Sequence, residues 1–462
     1  MAEPAKPYDI CVIGGGSGGL TAARVAGAFG VRVLLVDDRE AGVGGECLHS
    51  GCVPSKALIA ASKRMKDDST LPFSDAMEVV KKAVADIQGD RDNDENLKEA
   101  DVEVLHGRAV FKGPQEIKVG KQTVTARKFI IATGSSAFVP PLDGLDDVRY
   151  LTNDSVFSLT ELPPRLLVLG GGPIGVELAQ AFTRLGSVVT IVSADDRLLP
   201  REETLVSEVI LEACSRIGIT VILGANAESV RHQEYGVDLA YHQGASSLQT
   251  VSGSHLLIAT GRTPNIDLGL KAAKIETEPK GIIVDEHFRT TNPAVYAIGD
   301  CTPTLQFTHV AGAQAGVAVR NALFPGNAIY DMASVPWVTF TQPEVARRGP
   351  TIKECHESGG RTIDILYDNI DKAVAERSKG RVLLHFDHSD IIIGYTIIGA
   401  AAGEVAAQLN LAIDTHLPLA RLAQVRQAYP TISFGIYEAL AFEQLKKYSS
   451  KATVRWLARH AR

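Results

Sequence analysis

The sequence predicts an α/β fold with two Rossmann-like units, followed by a C-terminal α+β domain. Three observations carry this prediction. A glycine-rich turn with the spacing G-x-G-x-x-G occurs twice, each time between an apolar run and a helical pattern. A similar strand-turn follows each copy, first "FIIATGS" and then "LLIATGR". After residue 334, strand and helix patterns alternate without a glycine-rich turn, which indicates a third domain.

The first glycine-rich turn lies in "YDICVIGGGSGGL", where Gly14, Gly16 and Gly19 give the spacing. Glycines at these positions let the chain turn sharply and approach a pyrophosphate at the positive end of a helix. The next apolar run, "VRVLLV", ends at Asp37, which is placed to bind a ribose hydroxyl. This segment predicts a dinucleotide site.

The second glycine-rich turn lies in "RLLVLGGGPIGVELAQAF", with Gly170, Gly172 and Gly175. Ser193 stands eighteen residues after the last of them, the offset that separates Asp37 from Gly19. One such turn is weak evidence, but two copies with equal spacing are strong evidence. We therefore predict two dinucleotide sites in one chain.

Composition excludes several classes of protein. The chain has 462 residues, 45% of them hydrophobic, with a net charge of −7, which gives no support for nucleic-acid or anionic-membrane binding. Six cysteines are too few for a disulfide framework. No secretory signal precedes the first strand, and glycines and Glu404 interrupt the most apolar region, residues 391–411. We expect a cytoplasmic protein.

The segment "GGECLHSGCVPSK" holds Cys47 and Cys52. A structural disulfide is disfavoured in a reducing cytoplasm, and a zinc site would need more ligands than the nearby His49. In a regular helix the two side chains would point roughly 140° apart, so a disulfide requires a distortion, which Gly51 permits. An isolated pair could equally be inert thiols, but between two dinucleotide sites a redox couple is favoured.

Three local predictions concern segments outside this pair. The charged residues 90–103 indicate a solvated helix face. Cys355 is expected in a loop, and residues 290–301 read as a strand that ends at Gly299 and Asp300.

Together these features resemble the flavoprotein disulfide reductases, the class I pyridine nucleotide-disulfide oxidoreductases, over essentially the whole chain. The likeness rests on both glycine turns, the C-x4-C-x3-K segment, both "ATG" turns, Gly299-Asp300 and a Pro-Thr segment near the C-terminus. The segments "GGGPIGVELAQAF", "QFTHVAGAQAG" and "VPWVTFTQPEV" look closest to the mercuric-reductase-like branch, with dihydrolipoamide-dehydrogenase-like members also similar.

The resemblance implies FAD in the first unit, NAD(P)H in the second, and a C-terminal domain that forms a homodimer. The implied segments are an FAD-binding domain at 1–147 with a return segment at 276–334, an NAD(P)-binding domain at 148–275, and a dimerisation domain at 335–462. An acidic residue at the position of Ser193 would favour NAD by binding the ribose 2′-hydroxyl. Because Ser193 is neutral, it does not repel the 2′-phosphate of NADPH, so we expect a slight preference for NADPH.

The resemblance also implies roles for individual residues. Cys52 faces the flavin, Cys47 meets the substrate, and Lys56 lies near the flavin with Glu177 as its ion partner. The implied catalytic residues are Cys47, Cys52, Lys56, Glu177 and Tyr429. The implied cofactor-binding residues are Gly14, Gly16, Gly19, Asp37, Lys56, Thr133, Gly134, Gly170, Gly172, Gly175, Ser193, Gly261, Gly299, Asp300 and His309.

The chain departs from the family near its C-terminus. Disulfide-reducing members carry a His-Pro-Thr segment with a Glu five residues after the His, whereas this chain has Tyr429 and Phe434. A tyrosine pKa of about 10 is too high for proton shuttling near neutrality, so we expect poor turnover of disulfide substrates. Tyr429 is equally consistent with a packing role at the subunit interface.

A soft metal ion needs two thiolates and electrons but no proton for a leaving thiol, so Hg(II) is the leading acceptor. The mercuric-reductase pattern is incomplete, because no cysteine follows Cys355. The alternatives are a disulfide reductase with an altered acid–base site, a quinone or dye reductase, and a non-enzymatic redox sensor. We expect no resident metal and neither nucleic acid nor membrane as a partner.

Overall fold

The computed structural model describes residues 6–65, 72–244, 246–332 and 335–461. These residues form two compact units. The first comprises residues 6–194 and 224–332, and the second comprises residues 195–223 and 335–461. Each unit is described separately below.

Helices and strands alternate along both units. The helices are α1 (Ser17–Ala28), α2 (Gly45–His49), α3 (Cys52–Met65), α4 (Phe73–Asp90), α5 (Asp94–Glu99), α6 (Asn153–Val156), α7 (Pro173–Arg184), α8 (Thr204–Arg216), α9 (Thr308–Leu323), α10 (Ile352–Glu357), α11 (Asp371–Ala375), α12 (Ala402–Asp414), α13 (Leu419–Leu422), α14 (Ile432–Ser449) and α15 (Ala452–His460). The strands are β1 (Tyr8–Ile13), β2 (Val33–Asp37), β3 (Val102–His106), β4 (Ala109–Gly113), β5 (Glu116–Val119), β6 (Gln122–Ile131), β7 (Ser135–Ala137), β8 (Tyr150–Leu151), β9 (Arg165–Leu169), β10 (Val188–Val192), β11 (Thr220–Ile222), β12 (Ala225–Gln233), β13 (Gly236–Gln243), β14 (Gln249–Gly253), β15 (His255–Ile258), β16 (Arg262–Pro264), β17 (Thr277–Glu278), β18 (Gly281–Ile282), β19 (Val295–Ala297), β20 (Trp337–Thr339), β21 (Glu344–Arg348), β22 (Arg361–Leu366), β23 (Arg381–Phe386) and β24 (Ile392–Gly399).

The first unit is built on two parallel sheets. One has the strand order β3-β2-β1-β6, with β19 on the other side of β6 and the antiparallel strands β5 and β4 extending from β6. Every residue of β2 is buried, as expected for a parallel strand that is covered on both faces. The other sheet has the order β10-β9-β15-β8. Strands β12, β13 and β14, which precede β15 in the chain, form a separate antiparallel sheet.

The two glycine turns repeat the same packing. A Cβ added to Gly19 would lie 1.7 Å from the Gly14 oxygen, and a Cβ added to Gly175 would lie 2.2 Å from the Gly170 oxygen. Gly14 and Gly170 also both have positive φ, at 105° and 122°. The absence of a side chain at Gly19 and Gly175 lets the following helix lie directly against the strand-turn. The helix thereby directs its N-terminus at the turn.

The second unit holds an antiparallel sheet of order β20-β21-β24-β23-β22. Residues of α12, α13 and α14 share its apolar core with the sheet. This arrangement, together with the two parallel sheets of the first unit, confirms the predicted fold class. The predicted segment boundaries at 147, 275 and 334 stay predictions.

Three local predictions need correction. Residues 90–103 are not one solvated helix face, because Asn93 caps a new helix, Leu97 is fully buried, and β3 begins at Val102. Cys355 lies in α10 and is fully buried. The strand in residues 290–301 ends at Ala297, and a short 3-10 turn, Gly299–Cys301, follows it.

In the part of the chain that the structure describes, no helix is both long enough and apolar enough to cross a bilayer.

Substitution of Gly19 by Ala tests the packing of the first turn. The added methyl group cannot coexist with the Gly14 oxygen, so α1 must move, at a cost of about 1–3 kcal/mol. We expect a lower thermal unfolding midpoint. Gly89→Ala in α4 is the control, because nothing lies within 4 Å of its added Cβ, and its midpoint should stay equal or rise. Equal midpoints for Gly19→Ala and the parent protein would contradict this reading.

Candidate active site

The carboxylate of Asp37 marks the first dinucleotide site. Asp37 ends β2 and is 8% exposed, and its Oδ2 has no hydrogen-bond partner among the described residues. A Cβ on Gly15 would lie 2.7 Å from this oxygen, so the glycine turn lies directly against the acid. Burial raises the pKa of Asp37. A buried acceptor beside a glycine turn fits the ribose hydroxyl of a dinucleotide such as FAD.

The second turn is open and lacks an acid. Nothing lies within 4 Å of a Cβ built on Gly172, which leaves space for a phosphate group at the start of α7. Ser193 follows β10 and is 1% exposed. The site therefore fits a second dinucleotide and presents a neutral side chain at the position that corresponds to Asp37.

The cysteine segment is a helix interrupted between Cys47 and Cys52. Helix α2 ends at His49 and α3 begins at Cys52, with Ser50 and Gly51 between them. A Cβ on Gly51 would lie 2.9 Å from the Glu46 oxygen, so the chain returns tightly on itself. Cys47 is half-buried and Cys52 is exposed, both are free thiols, and each thiol shifts the pKa of the other.

The two thiols differ in their acidity. The hydrogen bond from Cys47 lowers the pKa of Cys52 to about 6, against the opposing effect of burial. Thr308 Oγ1 lies 3.5 Å from Cys52 Sγ, and both Thr308 and the charge of Lys56 lower this pKa further. The same thiol contact raises the pKa of Cys47. The surroundings therefore make the Cys52 thiol more acidic than an ordinary cysteine and the Cys47 thiol less acidic.

The helix that carries Cys52 is joined to the helix of the second glycine turn. Lys56 Nζ in α3 lies 2.8 Å from Glu177 Oε2 in α7. Glu177 is only 6% exposed, so its charge needs a close cation. Four of the predicted residues, Cys47, Cys52, Lys56 and Glu177, are thus brought together in the first unit.

A polar network that the sequence did not predict holds the start of this segment. Arg262 Nη1 donates to Glu46 Oε1 at 2.7 Å, and Arg262 Nε donates to Ser135 Oγ at 2.7 Å. Ser135 Oγ in turn donates to Asp300 Oδ2 at 2.7 Å. Asn153 also donates to Glu46. Glu46, the residue before Cys47, is thereby fixed to both strand-turns and to the segment after β19.

The predicted glycine and threonine residues of the strand-turns connect the two dinucleotide-binding parts of the unit. Strands β7 and β16 pair antiparallel. Thr133 Oγ1 donates to the Asn265 carbonyl at 2.6 Å, and the Gly134 and Gly261 carbonyls accept from the backbone N–H groups of Asn265 and Phe138, each at 2.9 Å. Their contacts are structural, and their role toward a cofactor stays a prediction.

The segment after β19 leads toward Cys52. Gly299 has a positive φ of 70°, and its N–H donates to Gln314 Oε1 at 2.7 Å. Helix α9 then begins at Thr308, the residue beside Cys52. His309 is exposed and its ring stacks on that of Phe307, with centroids 5.4 Å apart. The role of His309 toward a cofactor stays a prediction, and Thr308, which no sequence signal singled out, is the residue that contacts the Cys52 thiol.

Tyr429 lies in the second unit and is 63% exposed. Its hydroxyl donates to Asp371 Oδ2 at 3.0 Å, and this bond raises the pKa of Tyr429 further. Phe434 meets the Tyr429 ring edge to face, with centroids 5.2 Å apart. The pair therefore offers no group that titrates near neutrality.

A resident metal has no evident site in residues 6–65, 72–244, 246–332 and 335–461. No cluster of three or more His, Cys, Asp or Glu side chains in these ranges could hold one.

Comparisons with known proteins agree with this geometry. The family model for pyridine nucleotide-disulphide oxidoreductases matches residues 8–315, and the model for the dimerisation domain of that family matches residues 335–440. The chain is 35% identical over 457 residues to mercuric reductase from Streptomyces lividans, covering 94% of this chain and 95% of the relative. It is 34% identical over 466 residues to dihydrolipoyl dehydrogenase from Thermus scotoductus, covering 94% and 97%.

Solved structures show the same fold. The HOCl-induced flavoprotein disulfide reductase RclA from Escherichia coli matches with a TM-score of 0.86 at 27% identity, covering 94% of this chain and 99% of that chain. RclA has also been solved as a Cu(II) complex.

The thiol contact predicts the titration of Cys52. In the reduced protein we expect a thiolate midpoint near pH 6, because Cys47 donates to the Cys52 sulfur. Cys47→Ala removes the donor and should raise the midpoint toward the ordinary value of about 8.5, whereas Cys47→Ser should raise it less. Ultraviolet thiolate absorbance against pH, with Cys52→Ser as the blank, measures this. A midpoint that Cys47→Ala leaves unmoved would refute the assignment.

Proposed function

This chain belongs to the pyridine nucleotide-disulphide oxidoreductases, and we propose that it passes electrons from NAD(P)H through Cys47 and Cys52 to a thiol-reactive acceptor, with Hg(II) as the first candidate. The family consists of FAD-dependent enzymes that use NAD(P)H, and disulfide-reductase chemistry follows from membership. The observation that carries the proposal is the placement of Cys47 and Cys52 on either side of the break between α2 and α3, with the Lys56–Glu177 ion pair on α3.

The residues that would hold FAD are those of the first glycine turn with Asp37, together with Gly299 and Asp300. When bound, FAD supplies the two-electron relay between the nicotinamide and the cysteine pair. The chain itself orients the two thiols and shifts their pKa values. The ion pair of Lys56 with Glu177 holds α3 in place, and Thr308 donates toward the Cys52 thiolate.

Hg(II) suits this pair as a substrate. Two thiolates are soft ligands for a soft cation, and its reduction to Hg(0) consumes two electrons without a thiol leaving group. Reduction of a disulfide substrate instead releases a thiolate that needs a proton. Tyr429, with its raised pKa, and Phe434, which has no titratable group, supply none near neutral pH.

The relatives support both metal-ion and disulfide acceptors. Mercuric reductases are among the most similar curated proteins, and the related reductase RclA forms a Cu(II) complex. Dihydrolipoyl dehydrogenases match with nearly equal identity, so a disulfide reductase with an altered acid–base site is the second candidate.

The finer assignments belong to the same proposal. The neutral Ser193 favours NADPH slightly, because it offers no charge that repels a 2′-phosphate. The dimerisation domain at residues 335–440 suggests a homodimer, and we propose that Tyr429 of each subunit lies near the partner's cysteine pair. We place the enzyme in the cytoplasm.

The choice of acceptor is tested by anaerobic reduction with NADPH, followed by Hg(II), lipoamide, glutathione disulfide or a quinone in turn. We expect oxidation of the reduced enzyme to be fastest with Hg(II). Cys47→Ser should abolish Hg(II) reduction, because the substrate loses one of its two thiolates. Cys355→Ser is the control, since this buried cysteine lies in the other unit.

Rapid quinone turnover that survives Cys47→Ser would contradict a thiol-bound acceptor. Turnover of Hg(II) by Cys47→Ser at the parent rate would do the same.

The role of the missing acid–base pair is tested by the double substitution Tyr429→His with Phe434→Glu. General acid–base catalysis contributes about 10²–10⁴-fold, so disulfide turnover should rise at least tenfold. Tyr429→Phe is the control and should leave disulfide turnover at its low level, because the hydroxyl does not shuttle protons near pH 7. Steady-state rates with lipoamide and glutathione disulfide measure this. No rise in the double variant would show that the account of the missing base is wrong.

A further inference from the structure

The C-terminal helix α15 contacts the preceding helix α14 and is otherwise largely exposed. In the described structure none of its residues is buried, and Trp456 and Leu457 are each 59% exposed. The family model for the dimerisation domain ends at residue 440, before α15 begins. The helix therefore lies beyond the residues that this family model matches.

The two sides of α15 differ in chemistry. At about 100° per residue, Val454, Trp456 and Leu457 occupy one side of α15 and Arg455 and Arg459 the opposite side, while Lys451 precedes the helix as its N-cap residue. The helix is thus amphipathic, with an aromatic and aliphatic face set against a basic one.

The basic face is unpaired. Arg455 donates to the Ser450 carbonyl and Lys451 lies over the Tyr448 ring, but in the described part of the chain none of the three cations is in an ion pair. By contrast, Lys446 and Lys447 in α14 pair with Glu443 and Asp390. The charges of α15 are free to meet an external anion.

Charge along the chain is strongly segregated. Residues 444–461 hold five of the 47 Lys and Arg residues and none of the 54 Asp and Glu residues. The rest of the chain therefore carries a net charge of −12, and the overall value of −7 conceals a basic terminus. The net negative charge of the remaining residues repels an anionic surface, whereas the cations of α15 attract it.

We propose that α15 docks the enzyme onto an anionic lipid bilayer, lying flat with Trp456 and Leu457 in the interface and the cations beside the headgroups. Short helices with Trp and Leu on one face and Lys or Arg on the other bind membranes in this way. The cations of α15 attract an anionic bilayer and its Trp456 and Leu457 side chains suit the bilayer interface, whereas binding to a second copy of this acidic chain is an outcome that the test distinguishes. The proposal is independent of the electron acceptor.

The test is sedimentation of the full-length holoenzyme with vesicles. We expect binding to phosphatidylcholine mixed with phosphatidylglycerol and little binding to phosphatidylcholine alone. Because each basic residue at an anionic surface contributes about fivefold, Arg455→Gln with Arg459→Gln should weaken binding roughly 25-fold. Lys81→Gln with Lys82→Gln, an equal charge change at exposed positions of α4, is the control and should bind as the parent does.

Trp456 provides a second readout. Its fluorescence should shift to the blue when anionic vesicles are added, and Trp456→Phe should lose this shift, since the other tryptophan, Trp337, lies in β20. NADPH oxidation should be unchanged in every variant, which separates loss of docking from failure of the proposed electron relay.

Four results would overturn the proposal. The first is equal binding to both kinds of vesicle, and the second is unchanged binding after removal of Arg455 and Arg459. The third is a change from dimer to monomer in that variant by sedimentation velocity, which would assign α15 to a second copy of the chain. Equally tight binding of duplex DNA at the same salt concentration would also contradict a lipid surface.

Discussion

The pairing of the Cys47 and Cys52 thiols is the interaction on which the rest of the site depends. It exists because the helix is interrupted: α2 stops at His49, and Gly51 lets the chain return close to the Glu46 carbonyl. The contact makes the two thiols unequal, with a lowered pKa for Cys52 and a raised one for Cys47. Since a thiolate is the reactive form of cysteine, this inequality assigns different tasks to the two sulfurs.

The surroundings of this pair maintain the interruption. Arg262 fixes Glu46 from one side, and the Lys56–Glu177 ion pair fixes α3 from the other. In both contacts, a residue of the cysteine segment, Glu46 or Lys56, binds a residue that follows the second glycine turn, Arg262 or Glu177. The cysteine segment is therefore tied by side-chain contacts to residues of the second dinucleotide-binding part of the same unit.

Local features of the site were predictable from the sequence, whereas among the distant pairings only that of Lys56 with Glu177 was, through the family resemblance. The glycine turns, Asp37 and the cysteine pair act through neighbours a few residues away, so spacing alone revealed them. Glu46 and Arg262 are 216 residues apart, and Thr308 is 256 residues from Cys52, so nothing local marked these partners. The hydrogen bond from Tyr429 to Asp371 spans 58 residues and had no local signal either. Within the charged residues 90–103, the apolar side chains of Leu97 and Val102 are buried, so these apolar residues, and not the charges, determine the local structure.

The most direct measurement of the relay is the alkylation state of the cysteines before and after NADPH. The oxidised holoenzyme is treated anaerobically with one equivalent of NADPH, quenched with iodoacetamide and analysed by peptide mass. The account predicts that Cys47 and Cys52 become alkylated only after NADPH, while Cys11, Cys214, Cys301 and Cys355, all buried, keep their state. Oxidation of NADPH that leaves Cys47 and Cys52 unchanged would contradict it.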